Sequence, residues 1–361
     1  MTSWSNCRNI LCVRLDNMGD LMMSGPAIRA VAETFGSNIT VLTSSKAKAL
    51  AQALPFIGEV MVFDSPWMKL PDQDKAGFMN LVEAIRSRNF DGCIIFTVYS
   101  QNPMPAILLA YLAGIPLRLA YCRENPYDLL TDWMPDPEPY SIIRHQVKRD
   151  LKLVESIGAF TSDDDLEFPV NKATELATSR KLSSLDIQIG APYLVFHCGV
   201  SEVKRQYPTH LWVQAATLAA DLFGWPILFT GSAEEIPYIR SIQSEVPGKT
   251  YLLAGEIDLN EFAVVLDHAR TVVSVNTGTI HLAAAFKTPL VVLYARSNPQ
   301  HTPWNTACRV LDYSIPDEMK SRNEVIRYVD DLLYAEHKDY PSPVEICESI
   351  KGLLSNALKT V

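Results

Sequence analysis

A chain of 361 residues, 48% hydrophobic and 20% charged, has material for two cores, and its length favours two domains over one. A formal charge of -9 excludes a dedicated nucleic-acid binder, because phosphate contacts need an excess of Lys and Arg. Seven cysteines without C-x-x-C or metal-ligand spacing point to a reduced, cytosolic setting; with no secretory signal pattern and no apolar run of roughly 18 residues, any membrane contact is expected to be peripheral.

Taken in chain order, the apolar run over 9–15 predicts a buried strand. A helix over 21–35, a strand over 39–43, a helix over 47–53, a strand over 60–63, a helix over 75–88 and a strand over 93–98 follow. Short apolar runs separated by helices are the pattern of a mostly parallel, doubly wound sheet. Residues 121–140, rich in Pro, Asp and Tyr, predict a long surface loop. Helices are expected over 145–157 and 172–185, and then the alternation restarts. Strands over 193–197, 226–230, 250–253, 271–275 and 290–293 are separated by helices over 210–223, 234–244, 259–268 and 279–286. A last amphipathic helix over 342–358 is expected to pack back across the first domain. The predicted fold is therefore α/β: a Rossmann-like domain over 1–180, a second over 188–335 facing it across a cleft, and a returning tail over 336–361.

The chemistry is sought where strands run into helices. The run VVSVNTGTIHLAAAF joins a buried strand to a helix whose first turn offers unpaired N–H groups, so Thr277, Gly278, Thr279 and His281 read either as a phosphate cradle or as an ordinary connection. In the first half, ILCVRL leads to NMGDLMMSG, where Gly19 permits a tight turn and Asp20 opens the helix. Asp20 reads as a general base or as a helix cap, two roles that compete for one carboxylate. In HCGVSEVKRQYPTHLW, Ser201, Lys204 and Arg205 suit a diphosphate, with two solvated surface cations as the alternative. Glu234 or Glu235, after the strand LFT, reads as a ribose-binding acid or as a dipole-favoured residue of the first helical turn. Gly19, and the cations Arg123, Arg144 and Lys148 in and near the 121–140 segment, are candidate ligand contacts, though such cations are commonly only solvated.

These motifs, with RHQVKRDLKLVESIG before the linker and the continuation into KTPLVVLYARSNP, resemble the family of glycosyltransferases that contains the lipopolysaccharide heptosyltransferases, family 9, across nearly the whole chain. The resemblance implies a GT-B fold with the donor held by the second domain and the acceptor by the first. It implies an inverting, metal-independent transfer of heptose or a related sugar from a nucleoside-diphosphate donor, ADP-heptose among them, to a lipid-linked or envelope saccharide. No cofactor and no metal ligand are expected. The implied location is the cytoplasm, at the inner face of the membrane. By the same resemblance Asp20 deprotonates the acceptor hydroxyl. Lys204, Ser201, Thr277 and Gly278 contact the diphosphate, Glu234 or Glu235 the ribose, and the backbone around Ile257 the base. His281 matches the family's motif histidine, as ligand contact or loop support. Two departures stand out: Asn276 where the family has Asp, and Ala295-Arg296-Ser297-Asn298-Pro299 where it has Gly-Pro-Thr-Asp-Pro. Asn keeps an acceptor oxygen but loses charge, so donor contacts should differ, and Arg296 adds a cation for phosphate or an acidic acceptor. They motivate a competing reading as a silent nucleotide-sugar-binding protein; a GT-B epimerase is a further alternative. A nicotinamide dehydrogenase is disfavoured, because NMGDLMMSG lacks G-x-G-x-x-G.

Overall fold

The computed structural model describes residues 3–67, 75–200 and 202–357, and the chain divides into two compact units, Met1–Glu167 and Phe168–Val361. In the first, β1 (Asn9–Arg14), α1 (Met18–Phe35), β2 (Asn38–Thr43), α2 (Lys48–Ala53), β3 (Glu59–Val62), α3 (Lys75–Arg86), β4 (Gly92–Ile95), α4 (Met104–Leu112), β5 (Leu117–Cys122), β6 (Asp132–Pro135) and α5 (Gln146–Glu155) follow in turn. The six strands are all parallel, in the order β3-β2-β1-β4-β5-β6. The second unit begins with α6 (Lys172–Ser183). It continues through β7 (Leu194–His197), α7 (Thr209–Phe223), β8 (Ile227–Thr230), α8 (Ile236–Gln243), β9 (Thr250–Leu252), α9 (Leu259–Asp267), β10 (Thr271–Val275), α10 (Gly278–Ala285), β11 (Leu290–Ala295), β12 (Cys308–Tyr313), α11 (Glu324–Leu333) and α12 (Pro343–Ala357). Its six parallel strands run β12-β11-β10-β7-β8-β9, the same winding as the first sheet.

The central strands are continuous apolar runs because helices cover both faces of each sheet. β10 (TVVSV) and β11 (LVVLYA) are buried at every position, and β1 at all but its first. The winding reverses between β1 and β4 in one sheet and between β7 and β10 in the other. Loops leaving the carboxyl ends of these four strands therefore meet at the two switch points, where ligands of doubly wound sheets sit.

Two expectations are corrected. Residues 121–140 are not one loop: β5 extends to Cys122, and β6 pairs beside it from Leu119↔Asp132 to Cys122↔Pro135. As an edge strand, β6 buries only partly, and an edge tolerates Pro135, which removes the apolar signal a strand usually gives. The first domain does not extend to residue 180, because α6 packs on α9 within the second unit, where Lys181 Nζ meets Glu261 (2.9 Å) and the Glu256 carbonyl (2.7 Å). The tail helix belongs to the second unit. α12 lies on α7, β11 and β12, and its Ile346, Cys347, Ile350 and Leu353 join the core of the second unit. Ala215, Ala216 and Ala219 of α7 form a flat face that admits it, and the Tyr207 hydroxyl donates to the Pro341 carbonyl (2.5 Å) just ahead of it. Among the described residues no helix is long and apolar enough to cross a membrane.

Asn276 closes the end of the second sheet. Its Nδ2 donates to the Ala295 carbonyl (3.1 Å) and to Ser297 Oγ (3.2 Å), while its Oδ1 accepts from Ala295 N–H (3.2 Å). One amide thus continues the β10–β11 ladder beyond the last residue of β10. A carboxylate could accept but not donate there. Asn276→Asp is expected to destabilise the fold by about 1–3 kcal/mol at neutral pH, with part of the loss returning in acid, where a protonated carboxyl donates again. Denaturant melts across pH check this, and an unchanged midpoint at pH 7 would remove the bond from the account.

Candidate functional site

At the switch point of the first sheet, β1 ends on Arg14, whose side chain is fully buried. The chain then turns through Asp16 into α1, with Asn17 as N-cap and Asp20 as the third residue of the helix. Asn17 N–H donates to Asp20 Oδ2 (3.2 Å), closing a capping box, and Arg14 Nη2 donates to Asp20 Oδ1 (3.3 Å). Asp20 is therefore a cap and still lies at the head of the strand-to-helix turn, its side chain 14% exposed. Gly19 is buried inside the first helical turn, so the tight turn expected of it is absent; Asn17 and Asp16 make the bend instead.

Arg14 serves more than one carboxylate. Its Nε lies 3.0 Å from Asp16 Oδ2, and Asp16 Oδ1 accepts from Gln101 of the loop after β4. Burial pushes the Asp16 carboxyl up to about 6 against the pull of Arg14. Asp150 of α5 feels the same guanidinium and accepts from Ser24 (2.6 Å) and Gln146 (2.8 Å); burial pushes it up to about 6 as well. Immediately before it in α5, buried Arg149 grips both oxygens of Asp136 at 2.8 Å, donates to the Thr97 carbonyl (3.0 Å) and lies 4.5 Å over the Tyr121 ring. Glu138, fully buried, lies 3.4 Å from Arg149 and 3.2 Å from Arg144. The motif RHQVKRDLKLVESIG is α5, and its inward face carries Gln146, Arg149 and Asp150 beside Val147, Leu153 and Val154. Sequence reasoning missed this network. The signal was available as polar residues at helical spacing, 146, 149 and 150, in register with the apolar residue at 153.

The candidate acceptor cations are engaged with the protein. Arg123 donates to the carbonyls of Tyr99 (2.8 Å) and Glu138 (2.9 Å), and stands 5.5 Å over the Tyr140 ring; Arg144 pairs with Glu138. Lys148 meets Asp164 at 2.5 Å on the opposite flank of α5, so it is not grouped with the other two.

At the switch point of the second sheet, the loop after β7 carries Glu202, Lys204 and Arg205; Ser201 lies outside the described residues. Glu202 pairs with Lys204 and with Arg205, each at 2.9 Å. Arg205 also donates to the Asn276 carbonyl (3.0 Å), which ties this loop to the one after β10. There Thr277 is the N-cap of α10, followed by Gly278 and the buried Thr279 and His281. The Thr277 hydroxyl and Arg205 Nε are both buried without a hydrogen-bond partner among the described residues. Two orphaned polar groups on joined loops, at a helix N-terminus, form an anion-ready arrangement.

The acids after β8 separate by position. Glu235 Oε2 accepts from Ser232 N–H (2.8 Å) in a capping box, and its carboxylate lies against the loop after β7. A Cβ at Gly199 would stand 2.2 Å from Glu235 Oε2 and one at Gly231 2.9 Å, so both glycines make room for it. Glu234 is exposed, its carboxyl held below the ordinary value by its own backbone N–H and by Ser232. Ile257, half-buried, leads into α9. His197, at the end of β7, lies 3.0 Å from Thr230 Oγ1 and stacks on Phe262; burial lowers its imidazole to about 4, so it is neutral at physiological pH.

The two departures have structural partners. Asn276 turns its amide to β11, as described. Arg296 binds Asp312 (2.8 Å) and the Glu336 carbonyl (2.5 Å) and lies 5.3 Å over Tyr334, bracing the sheet edge where phosphate contact was expected.

With this geometry in hand, comparison with known proteins gives consistent results. The family model described as glycosyltransferase family 9 (heptosyltransferase) matches residues 78–325. Lipopolysaccharide heptosyltransferase 2 of Escherichia coli strain K12 is 24% identical over 308 residues, covering 81% of this chain and 84% of the relative. Among solved structures, a family 9 glycosyl transferase from Veillonella parvula superposes with a TM-score of 0.79 at 17% identity, covering 99% of both chains. E. coli ADP-heptose lps heptosyltransferase II gives 0.72 at 20% identity, covering 97% of this chain and 99% of that one. The fold is of the GT-B class, two doubly wound parallel sheets with flanking helices. The chain belongs to glycosyltransferase family 9, the heptosyltransferase family, and is a glycosyltransferase.

Proposed function

We propose that this glycosyltransferase moves a heptose, or a closely related sugar, from a nucleoside diphosphate to a saccharide of lipopolysaccharide, with inversion and without a metal. The observation that carries the donor half is the pair of orphaned groups, Thr277 hydroxyl and Arg205 Nε, on loops tied together at the head of α10. The relatives' names supply the sugar and the acceptor: one is a lipopolysaccharide heptosyltransferase, and a neighbouring structure is a heptosyltransferase with ADP.

In this reading the acceptor oxygen attacks the anomeric carbon while the bond from that carbon to the diphosphate oxygen breaks. The electron pair leaves with the diphosphate, and the acceptor proton passes to Asp20. Negative charge on the leaving group meets the N–H groups of α10, the Thr277 hydroxyl, Lys204 and Arg205, which are preorganised donors and need no metal to act. Glu235, set against the loop after β7, suits the ribose hydroxyls better than exposed Glu234. An acceptor attached to lipid would bring the protein to the inner face of the cytoplasmic membrane. Support for the cytoplasmic side is that all seven thiols are free. The silent-binding alternative loses its motive, since Asn276 and Arg296 have structural roles.

Asp20→Asn is expected to lower transfer from ADP-heptose to truncated lipopolysaccharide by about 10²–10⁴-fold while leaving ADP affinity unchanged in calorimetry; transfer at the wild-type rate would show that the base is another group. For Lys204→Met, ADP binding should weaken roughly 10- to 100-fold, and titration of ADP, GDP, UDP and CDP side by side checks the nucleotide. Equal affinity in wild type and variant would remove Lys204 from the diphosphate site.

A further inference from the structure

We infer that Arg14 is a positioning residue for the transfer, holding the Asp20 carboxylate ionised and in one orientation. The inference rests on the reading of Asp20 as the base. Arg14 closes β1, is fully buried, and reaches Asp20 Oδ1 at 3.3 Å, while the other oxygen is held by Asn17 N–H at 3.2 Å. Gripped at both oxygens, from the strand end and from the helix start, the carboxylate cannot turn freely. That is the condition for a base in an in-line displacement.

The surrounding charges show why a cation is needed there. Asp16, from the same turn, and Asp150, from α5, face Arg14 alongside Asp20; Arg149 of α5 is the like-charged neighbour, and Gln101 from the loop after β4 is uncharged. Two extra carboxylates near Asp20 would favour its neutral form, which cannot accept a proton. Arg14 offsets them. Burial pushes Asp16 and Asp150 up to about 6, so both are partly protonated in mild acid, which weakens their repulsion of the Asp20 charge.

The test is the pH profile of kcat/KM for transfer from ADP-heptose to truncated lipopolysaccharide, whose acid limb reports the free enzyme's base. Arg14→Met should move that limb up by about one pH unit and lower kcat, with KM for the donor unchanged. Arg14→Lys should restore the limb while recovering only part of kcat, because an ammonium keeps the charge but not the fork. Asp150→Asn, which keeps the side-chain shape, should move the limb down. It decides the matter if Arg14→Met fails to fold: an unmoved limb in Asp150→Asn overturns the inference. So does a folded Arg14→Met with the wild-type limb, or an Arg14→Lys limb displaced as far as that of Arg14→Met. If Asp20→Asn transfers at the wild-type rate, the base reading fails and this inference with it. If Asp20→Asn is inactive and the limbs stay fixed, only the positioning role is lost.

Discussion

A parallel strand covered on both faces has no place for a charge except at its ends, and this constraint arranges the whole molecule. β1 carries Ile10 to Val13 in the core and reaches a charged side chain only at Arg14. β10 is apolar or hydroxylic throughout and turns polar at Asn276. α1 and α10 start within a few residues of where β1 and β10 stop, so these two polar strand ends lie beside helix N–H groups, and both sheets, wound the same way, place that end at the switch point.

Equal topology does not bring equal electrostatics. The first switch point gathers Asp16, Asp20 and Asp150 around one arginine; the second gathers Lys204, Arg205 and the unpaired hydroxyl of Thr277. The roles proposed for the two units rest on this difference between side chains at equivalent places in one repeated architecture, with the sheets themselves contributing only the placement.

How much was legible in the sequence follows from the same constraint. β1, β7 and β10 read clearly because burial on both faces leaves an unbroken apolar run, and Thr277-Gly278 marks the start of α10. β6 was illegible because an edge strand of four residues ending in proline looks like loop. The stripe of Ile346, Cys347, Ile350 and Leu353 announces that α12 packs, but not on what; the answer lies in the alanines of α7, more than a hundred residues away. Arg123, Arg144 and Arg296 carry internal contacts that depend on tertiary neighbours no local pattern names. Arg14 and Arg149, the most buried cations among the described residues, lay inside strand and helix patterns where apolar periodicity gives charged residues no weight.

Asn276 illustrates how a departure from a family pattern should be weighed. As a string comparison, Asn for Asp in the most specific motif suggests altered or absent chemistry. In the fold, its amide donates to one backbone group of Ala295 and accepts from the other, which an ionised carboxylate cannot do. The exchange therefore alters how β10 is fastened to β11, while the orphaned polar groups belong to the next residue and to the loop after β7. The Asn276 side chain points from the end of β10 to β11. Sequence adjacency to a motif is weaker evidence of a shared role than the direction in which the side chain's donors face.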